Sequence, residues 1–75
     1  MRNLFAPAKI EIFPEPLVGI VEQTITETTP GRVKFLGTSW SSRFYQSNHH
    51  ETADKGQTVK IIGMQGITLL VTLNH

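Results

Sequence analysis

The sequence predicts an all-β fold, namely a five-stranded Greek-key barrel of the OB type with little or no helix. Short runs of β-branched and aromatic residues are separated by glycine and proline turns, and no segment shows the apolar repeat of an amphipathic helix. A glycine also interrupts the first strand, which is where a strand can bend to serve both sides of a small barrel. A five-stranded SH3-like barrel is the nearest alternative.

Length and composition limit the function classes. A chain of 75 residues is long enough for one domain, and its apolar stretches are too short to span a membrane as a helix, so we expect a soluble domain. With no cysteine and three scattered histidines, neither a disulfide nor a structural metal site is predicted. The net charge of +1 is far from that of a dedicated nucleic-acid-binding protein.

The N-terminal part of the chain is predicted to be separate from the barrel. Residues 1–16 hold three of the four prolines, which disfavour both helices and central strands, so this segment is predicted to be an arm or linker. Within it, residues 9–13 alternate apolar and charged side chains and could add a short edge strand. The barrel domain is predicted to span residues 17–75.

The first two predicted barrel elements are a strand and a hairpin. The strand covers residues 17–27, with Gly19 at its bend. Pro30-Gly31 suits the centre of a type II turn, because glycine accepts the positive φ required there. The hairpin that follows is predicted to close at Gly37-Thr38 with a II′ turn.

This turn gives the central hairpin a core face and an outward face. Phe35 is predicted to lie opposite Trp40 on the core face, and Arg32 opposite Arg43 on the outward face. Because the two arginines would repel each other, an acidic group, an anion or solvent must lie beside them. The outward face is therefore a candidate partner-binding surface, which consists of Arg32, Lys34, Arg43 and Tyr45.

The second half of the chain is predicted to be a loop and a second hairpin. Residues 46–57 are polar throughout and end in a predicted turn at Asp54-Lys55-Gly56. Strands at residues 58–64 and 67–73 are expected to be joined by Gln65-Gly66.

The second hairpin is apolar on both of its faces. A bulge near Gly63 would turn Ile62 and Leu70 out of the core, where they would lie under the N-terminal arm or against a partner. They form a second candidate partner-binding surface. The side chains predicted for the core are Val21, Ile25, Val33, Phe35, Trp40, Phe44, Val59, Ile61, Leu69 and Val71.

Several short motifs follow one another in a fixed order over residues 17–73. They are Leu17-Val18-Gly19, Thr29-Pro30-Gly31-Arg32-Val33, Gly37-Thr38-Ser39-Trp40, Lys55-Gly56-Gln57-Thr58-Val59 and Gly66-Ile67-Thr68-Leu69-Leu70-Val71. Their order and spacing resemble the C-terminal domain of NfeD-like proteins.

The resemblance implies an OB-fold barrel that is not an enzyme. Proteins of this family are prokaryotic and membrane-associated, and they act with stomatin- or flotillin-like partners. Long members carry a serine protease domain and transmembrane helices before this module, and the sequence given has neither. The resemblance therefore implies a protein-interaction module that is cytoplasmic or peripheral to a membrane, and homo-oligomerisation stays open.

Catalytic and metal-binding patterns are missing from the sequence. The serines of the central hairpin lack a nucleophile-elbow pattern, and no nucleophile, base and orienting acid occur together. His49-His50-Glu51 is interpreted as a solvated loop, because neighbouring side chains in an extended segment point in opposite directions. We therefore predict no enzymatic activity, no cofactor and no metal ion.

Binding of single-stranded nucleic acid is the alternative function. OB-folds bind oligonucleotides on the outer face of strands two and three, where this sequence places three cations and Tyr45. The near-neutral charge and the single exposed aromatic residue argue against it, since single-strand binders combine a basic groove with several stacking platforms.

Overall fold

The structure, a computed structural model, describes residues 8–46 and 51–73 and contains seven strands in this part of the chain. They are β1 (Ile10–Gln23), β2 (Ile25–Thr26), β3 (Gly31–Phe35), β4 (Thr38–Phe44), β5 (Thr52–Ala53), β6 (Thr58–Gln65) and β7 (Thr68–Leu73). No helix occurs among the described residues, and hence none that could cross a membrane.

Five of the strands close a barrel in the order β1-β3-β4-β7-β6. Strands β4 and β7 are parallel, and the other neighbours are antiparallel. The two-residue strands β2 and β5 pair with each other beside the barrel. The predicted all-β, five-stranded Greek-key barrel is thus confirmed.

Strand β1 is longer than the sequence predicts. It begins at Ile10, which pairs with Gln65, and the potential edge strand is therefore present. Between Ile12 and Leu17 the register against β6 shifts, and the prolines of β1 fall in this interval, where a missing N–H breaks no ladder bond. The strand runs through the position at which the arm was predicted to end.

Gly19 allows β1 to pass close to both of its neighbours in the barrel. A Cβ atom on Gly19 would lie 2.5 Å from Cγ1 of Val33 on β3 and 3.0 Å from Cδ1 of Ile61 on β6. The structure thus gives this glycine a role in close packing, and the bend expected at Gly19 stays a prediction.

The predicted type II turn at Pro30-Gly31 is wrong. Gly31 does not have a positive φ; it begins β3, and a Cβ atom there would lie 2.1 Å from the carbonyl oxygen of Gln23. The chain reverses earlier instead. The Thr26 N–H donates to the Thr29 carbonyl oxygen (2.9 Å), and the Thr26 hydroxyl oxygen accepts from the Thr29 N–H (3.0 Å).

The central hairpin closes one residue earlier than predicted. Leu36 and Gly37 occupy the turn with φ of 51° and 78°, the signs that a type I′ turn requires at both central positions. Val33 therefore lies opposite Trp40, and Phe35 lies opposite Thr38.

This shift changes which residues lie opposite each other, but the same side chains remain on the inward and outward faces. Arg32 lies opposite Ser41, so the predicted pairing of Arg32 with Arg43 is wrong. Moving the turn by one residue shifts the pairing by two residues, since Phe35 lies opposite Thr38 and not Trp40. Because side chains alternate with a period of two, inward positions stay opposite inward positions. Val33, Phe35 and Trp40 all pack in or against the core.

The second hairpin contains the predicted bulge. The register between β6 and β7 shifts between Ile61 and Gly63, as expected. The turn lies at Gly66-Ile67, one residue later than predicted, because Gly66 with its φ of 62° takes the first central position.

The predicted long loop contains more structure than expected. Strand β5 lies within it and pairs with β2, which places Ala53 in the core. The turn predicted at Asp54-Lys55-Gly56 is present, with a hydrogen bond from the Gln57 N–H to the Asp54 carbonyl oxygen (3.0 Å). The predicted loop residues His49 and His50 lie outside the described residues.

One apolar cluster fills the barrel. Every side chain predicted for the core lies in this cluster or packs against it. Its buried members are Val21, Ile25, Val33, Phe44, Ala53, Val59, Ile61, Leu69 and Val71, with Phe13, Phe35, Trp40, Met64 and Leu73 packed against them.

Candidate functional site

Arg32 and Lys34 both lie exposed on the outward face of the β3–β4 hairpin. The Arg32 side chain is held within the hairpin, since Nε donates to the Ser39 hydroxyl oxygen (2.8 Å) and Nη2 donates to the Ser39 carbonyl oxygen (3.0 Å). Lys34 lies directly opposite Ser39 in the sheet. A guanidinium with internal acceptors is less available to an external anion.

Arg43 and Tyr45 lie near the end of β4 and are half-buried. Arg43 donates to the Gln65 side-chain oxygen and to the Phe44 carbonyl oxygen (3.3 Å). Gln65 in turn donates to the carbonyl oxygen of Ala8 (2.9 Å). Arg43 therefore takes part in a hydrogen-bonded chain that connects β4, β6 and the start of the described chain.

The four predicted residues do not form a continuous basic groove. Arg32 and Arg43 bind acceptors in different parts of the molecule, and Tyr45 is half-buried. Trp40 packs against the core, with its indole Nε1 buried and unpartnered within the described residues. It therefore adds no stacking platform, and nothing in this geometry favours the nucleic-acid alternative.

The second predicted surface, Ile62 and Leu70, is only partly accessible. Ile62 is half-buried and stays a candidate. Leu70 is 0% exposed although it does not belong to the core cluster. Of the two positions predicted for Leu70, the one against a partner is therefore wrong, because the chain itself covers this side chain, and the one under the N-terminal arm stays a prediction.

A third surface, which the sequence reasoning missed, lies on the outward side of β1. Val18 is 56% exposed and Ile20 is 51% exposed, and both border a groove of about 510 Å³ that opens to solvent. Leu36 in the turn of the central hairpin lines the same groove and is 86% exposed. We call these three side chains and the lysines beside them the β1 face.

The lysines of the β1 face come from the neighbouring strands and a loop. Lys34 lies opposite Ile20 on one side of β1, and Lys60 lies opposite Val18 on the other. Lys55 lines the groove from the turn before β6. Apolar side chains therefore lie between cations on both sides.

One signal in the sequence could have revealed the β1 face. If Gly19 is the point of close approach inside the barrel, then its neighbours Val18 and Ile20 must point outward, since side chains alternate along a strand. The exposed position of Leu36 follows only from the actual turn.

The described residues show no assembled catalytic or metal site. Two of the hairpin serines make hydrogen bonds with the chain itself: Ser39 accepts from Arg32, and the Ser42 hydroxyl donates to the Trp40 carbonyl oxygen (3.0 Å). Within residues 8–46 and 51–73, no three His, Cys, Asp or Glu side chains are placed to hold a metal ion together.

Comparison with known proteins adds an independent result. Residues 15–72 match the family described as the NfeD-like C-terminal, partner-binding domain. Among solved structures, the C-terminal domain of stomatin operon partner protein 1510-C from Pyrococcus horikoshii is similar, with a TM-score of 0.66 and 27% sequence identity over 80% of this chain and 86% of that chain. A search of curated proteins found no match. Because the family match covers most of the sequence, this chain belongs to the family of NfeD-like C-terminal, partner-binding domains.

Proposed function

We propose that this chain is the non-catalytic protein-interaction module of an NfeD-like, membrane-associated protein and that its partner is stomatin- or flotillin-like. The observation that carries the proposal is the match of residues 15–72 to a family described as partner-binding. The similar Pyrococcus horikoshii domain supports the choice of partner, since it comes from a protein named as a stomatin operon partner.

The structure of the surface supports a contact function over a catalytic one. The barrel is closed, and its core is filled by side chains, so a ligand would have to bind on the outside. On that outside, Val18, Ile20 and Leu36 leave apolar surface in water. Exposed apolar patches in small proteins commonly mark sites of protein contact.

The location we propose is the periphery of a membrane in a prokaryotic cell. Arg32, Lys34, Arg43, Tyr45 and Ile62 remain predicted contact residues, and Lys34 is the one that also belongs to the β1 face.

The proposal is tested by measuring binding between this chain and a purified stomatin-like or flotillin-like protein from the same organism, by calorimetry. We expect saturable binding, with a negative heat-capacity change because apolar surface is buried. An unrelated OB-fold domain of similar net charge serves as the control. If neither the stomatin-like nor the flotillin-like protein binds this chain better than the control, the proposed partner is wrong.

A further inference from the structure

We propose that the β1 face docks a partner segment in which apolar side chains are accompanied by acidic ones. This inference deepens the proposed function, on which it rests, by assigning the surface and the chemistry of the partner. The supporting observations are the exposed apolar side chains, an unfavourable backbone conformation at Leu36, and the placement of the surrounding lysines.

The first observation is the continuity of the apolar surface. Val18 and Ile20 are two residues apart on β1, so their side chains lie on the same side of the strand. Both line the groove that Leu36 borders from the adjacent hairpin turn. Strand β1 and the turn of the adjacent β3–β4 hairpin thus contribute to one apolar surface, which a single partner segment can cover.

The second observation is the conformation of Leu36. Its φ of 51° lies in the left-handed region, which costs about 1–2 kcal/mol for a residue with a side chain and which asparagine or glycine would adopt more easily. Burial does not compensate this cost, because the side chain is 86% exposed. An unfavourable conformation that presents an apolar side chain to solvent points to a contact made outside the molecule.

The third observation is the charge around the apolar side chains. Lys34 and Lys60 lie directly beside Ile20 and Val18 in the sheet. Lys55 adds a third cation at the rim of the groove.

Among the described residues that line the groove, Lys34 and Lys55 stand against one carboxylate, that of Glu22. Lys60 adds a cation beside Val18, outside the lining of the groove. The β1 face therefore carries an excess of positive charge next to its apolar centre. Electrostatic complementarity favours a partner with acidic groups at the edge of an apolar contact.

The same charges argue against a second copy of this chain as the occupant. In a two-fold symmetric dimer the same patch meets itself, so both sides of the interface would carry the same excess of positive charge. Such a like-charge arrangement is unfavourable at a desolvated interface. An acidic, apolar segment of a different protein fits the surface better.

The test uses the full chain and two synthetic peptides with the same isoleucine and leucine residues, one with glutamates between them and the other with lysines. Binding is followed by NMR on the ¹⁵N-labelled chain. We expect the glutamate peptide to bind about tenfold more tightly than the lysine peptide, with shift changes centred on Val18, Ile20 and Leu36. Equal binding of the two peptides, no binding of either, or changes centred elsewhere would overturn the proposal.

Variants of the β1 face separate the apolar from the electrostatic contribution. Ile20→Ser is expected to weaken the glutamate peptide about tenfold, as for a central apolar contact. The double variant Lys34→Glu with Lys60→Glu is expected to reverse the preference in favour of the lysine peptide. Ile67→Ser is the matched control, since Ile67 is 80% exposed but does not line the groove, and it should change nothing.

Leu36→Asn provides a readout that a purely structural role would not produce. This variant should bind the glutamate peptide more weakly and yet unfold at a higher temperature, because asparagine tolerates the left-handed conformation. A loss of binding that accompanies a loss of stability would contradict the account.

The stomatin-like protein then distinguishes this inference from the proposed function. If it binds the unmodified chain and the Ile20→Ser and Lys34→Glu variants equally, the β1 face is wrong and the proposed function stands. If it does not bind the chain, while the glutamate peptide binds as expected, the proposed partner is wrong and the β1 face stands.

Discussion

The outward face of the β3–β4 hairpin and the outward face of β1 differ in how far their side chains already interact with other residues of the protein. The first carries arginines, but Arg32 donates to Ser39 and Arg43 donates to Gln65. The second carries Val18 and Ile20, both more than half exposed. A row of charges on a strand is therefore a weaker sign of a contact surface than apolar side chains left in solvent.

This difference comes from the residues that neighbour the exposed side chains on each face. Strand β4 contributes Ser39, which offers acceptors to Arg32. Strand β1 contributes aliphatic side chains on both sides, and the inward side alone is covered by the barrel.

The largest effect on stability is expected where β1 passes close to β3. In Gly19→Ala the new methyl group would meet Val33 at 2.5 Å, so the variant should lower the free energy of unfolding by about 1–3 kcal/mol. Val18→Ala, on the outward side of the same strand, should change it by about 0.5 kcal/mol or less. Urea denaturation measures both, and similar losses for the two variants would contradict the assignment of the two sides of β1.

A smaller effect with the opposite sign is expected at Leu36. Leu36→Asn should raise the free energy of unfolding by about 0.5–1 kcal/mol, since asparagine tolerates a positive φ better. For a domain of this size the melting temperature should rise by a few degrees, at about 4–8 °C per kcal/mol. Thermal unfolding followed by circular dichroism checks this, and a decrease would show that the Leu36 side chain stabilises the isolated domain.

The smallest effect is expected on the outward face of the β3–β4 hairpin. Arg32→Ala removes two hydrogen bonds to Ser39 at an exposed position, and we expect a loss of about 0.5 kcal/mol or less in the free energy of unfolding. Partner binding measured by calorimetry should weaken by less than in Lys34→Ala, because the Arg32 guanidinium is already bound to Ser39. Lys34→Ala is the matched comparison on this face, and it should weaken binding of the partner, because Lys34 lies beside Ile20.

A related prediction concerns nucleic acid. Because Arg32 and Arg43 are bound internally and Tyr45 is half-buried, labelled oligothymidine should show no saturable, salt-dependent binding at micromolar protein. Fluorescence anisotropy at low and moderate salt measures this. Binding that weakens steeply with salt and is lost in Arg32→Ala would restore the alternative function.

The sequence predicted the faces of the central hairpin better than its cross-strand pairs. Side chains alternate with a period of two, so Val33 and Trp40 remain on the inward face although the turn lies one residue earlier than predicted. The predicted pairing of Arg32 with Arg43 depended on the exact position of the turn, so it was wrong once the turn was displaced.

The position of that turn was hard to predict because Gly37 suits two turn types. Glycine can take the first central position of a II′ turn or the second of a I′ turn. The second choice forces Leu36 into a positive φ, which local preference disfavours, and yet it is the one observed. Local rules failed at the residue to which we assign a contact outside the domain.

Long-range packing explains the remaining differences. The composition of β1 does not show which of its aliphatic residues are covered, and the pairing of β1 with β3 and β6 decides this. Similarly, the complete burial of Leu70 depends on packing that no local pattern reveals.

The most direct test of the central claim is methyl cross-saturation NMR on the labelled chain in complex with an unlabelled stomatin-like partner. The account predicts that the methyl signals of Val18, Ile20 and Leu36 are attenuated, whereas that of Ile67, which is 80% exposed but lies outside the groove, is not. Attenuation at Ile62 or Ile67, with the three signals of the β1 face unchanged, would contradict it.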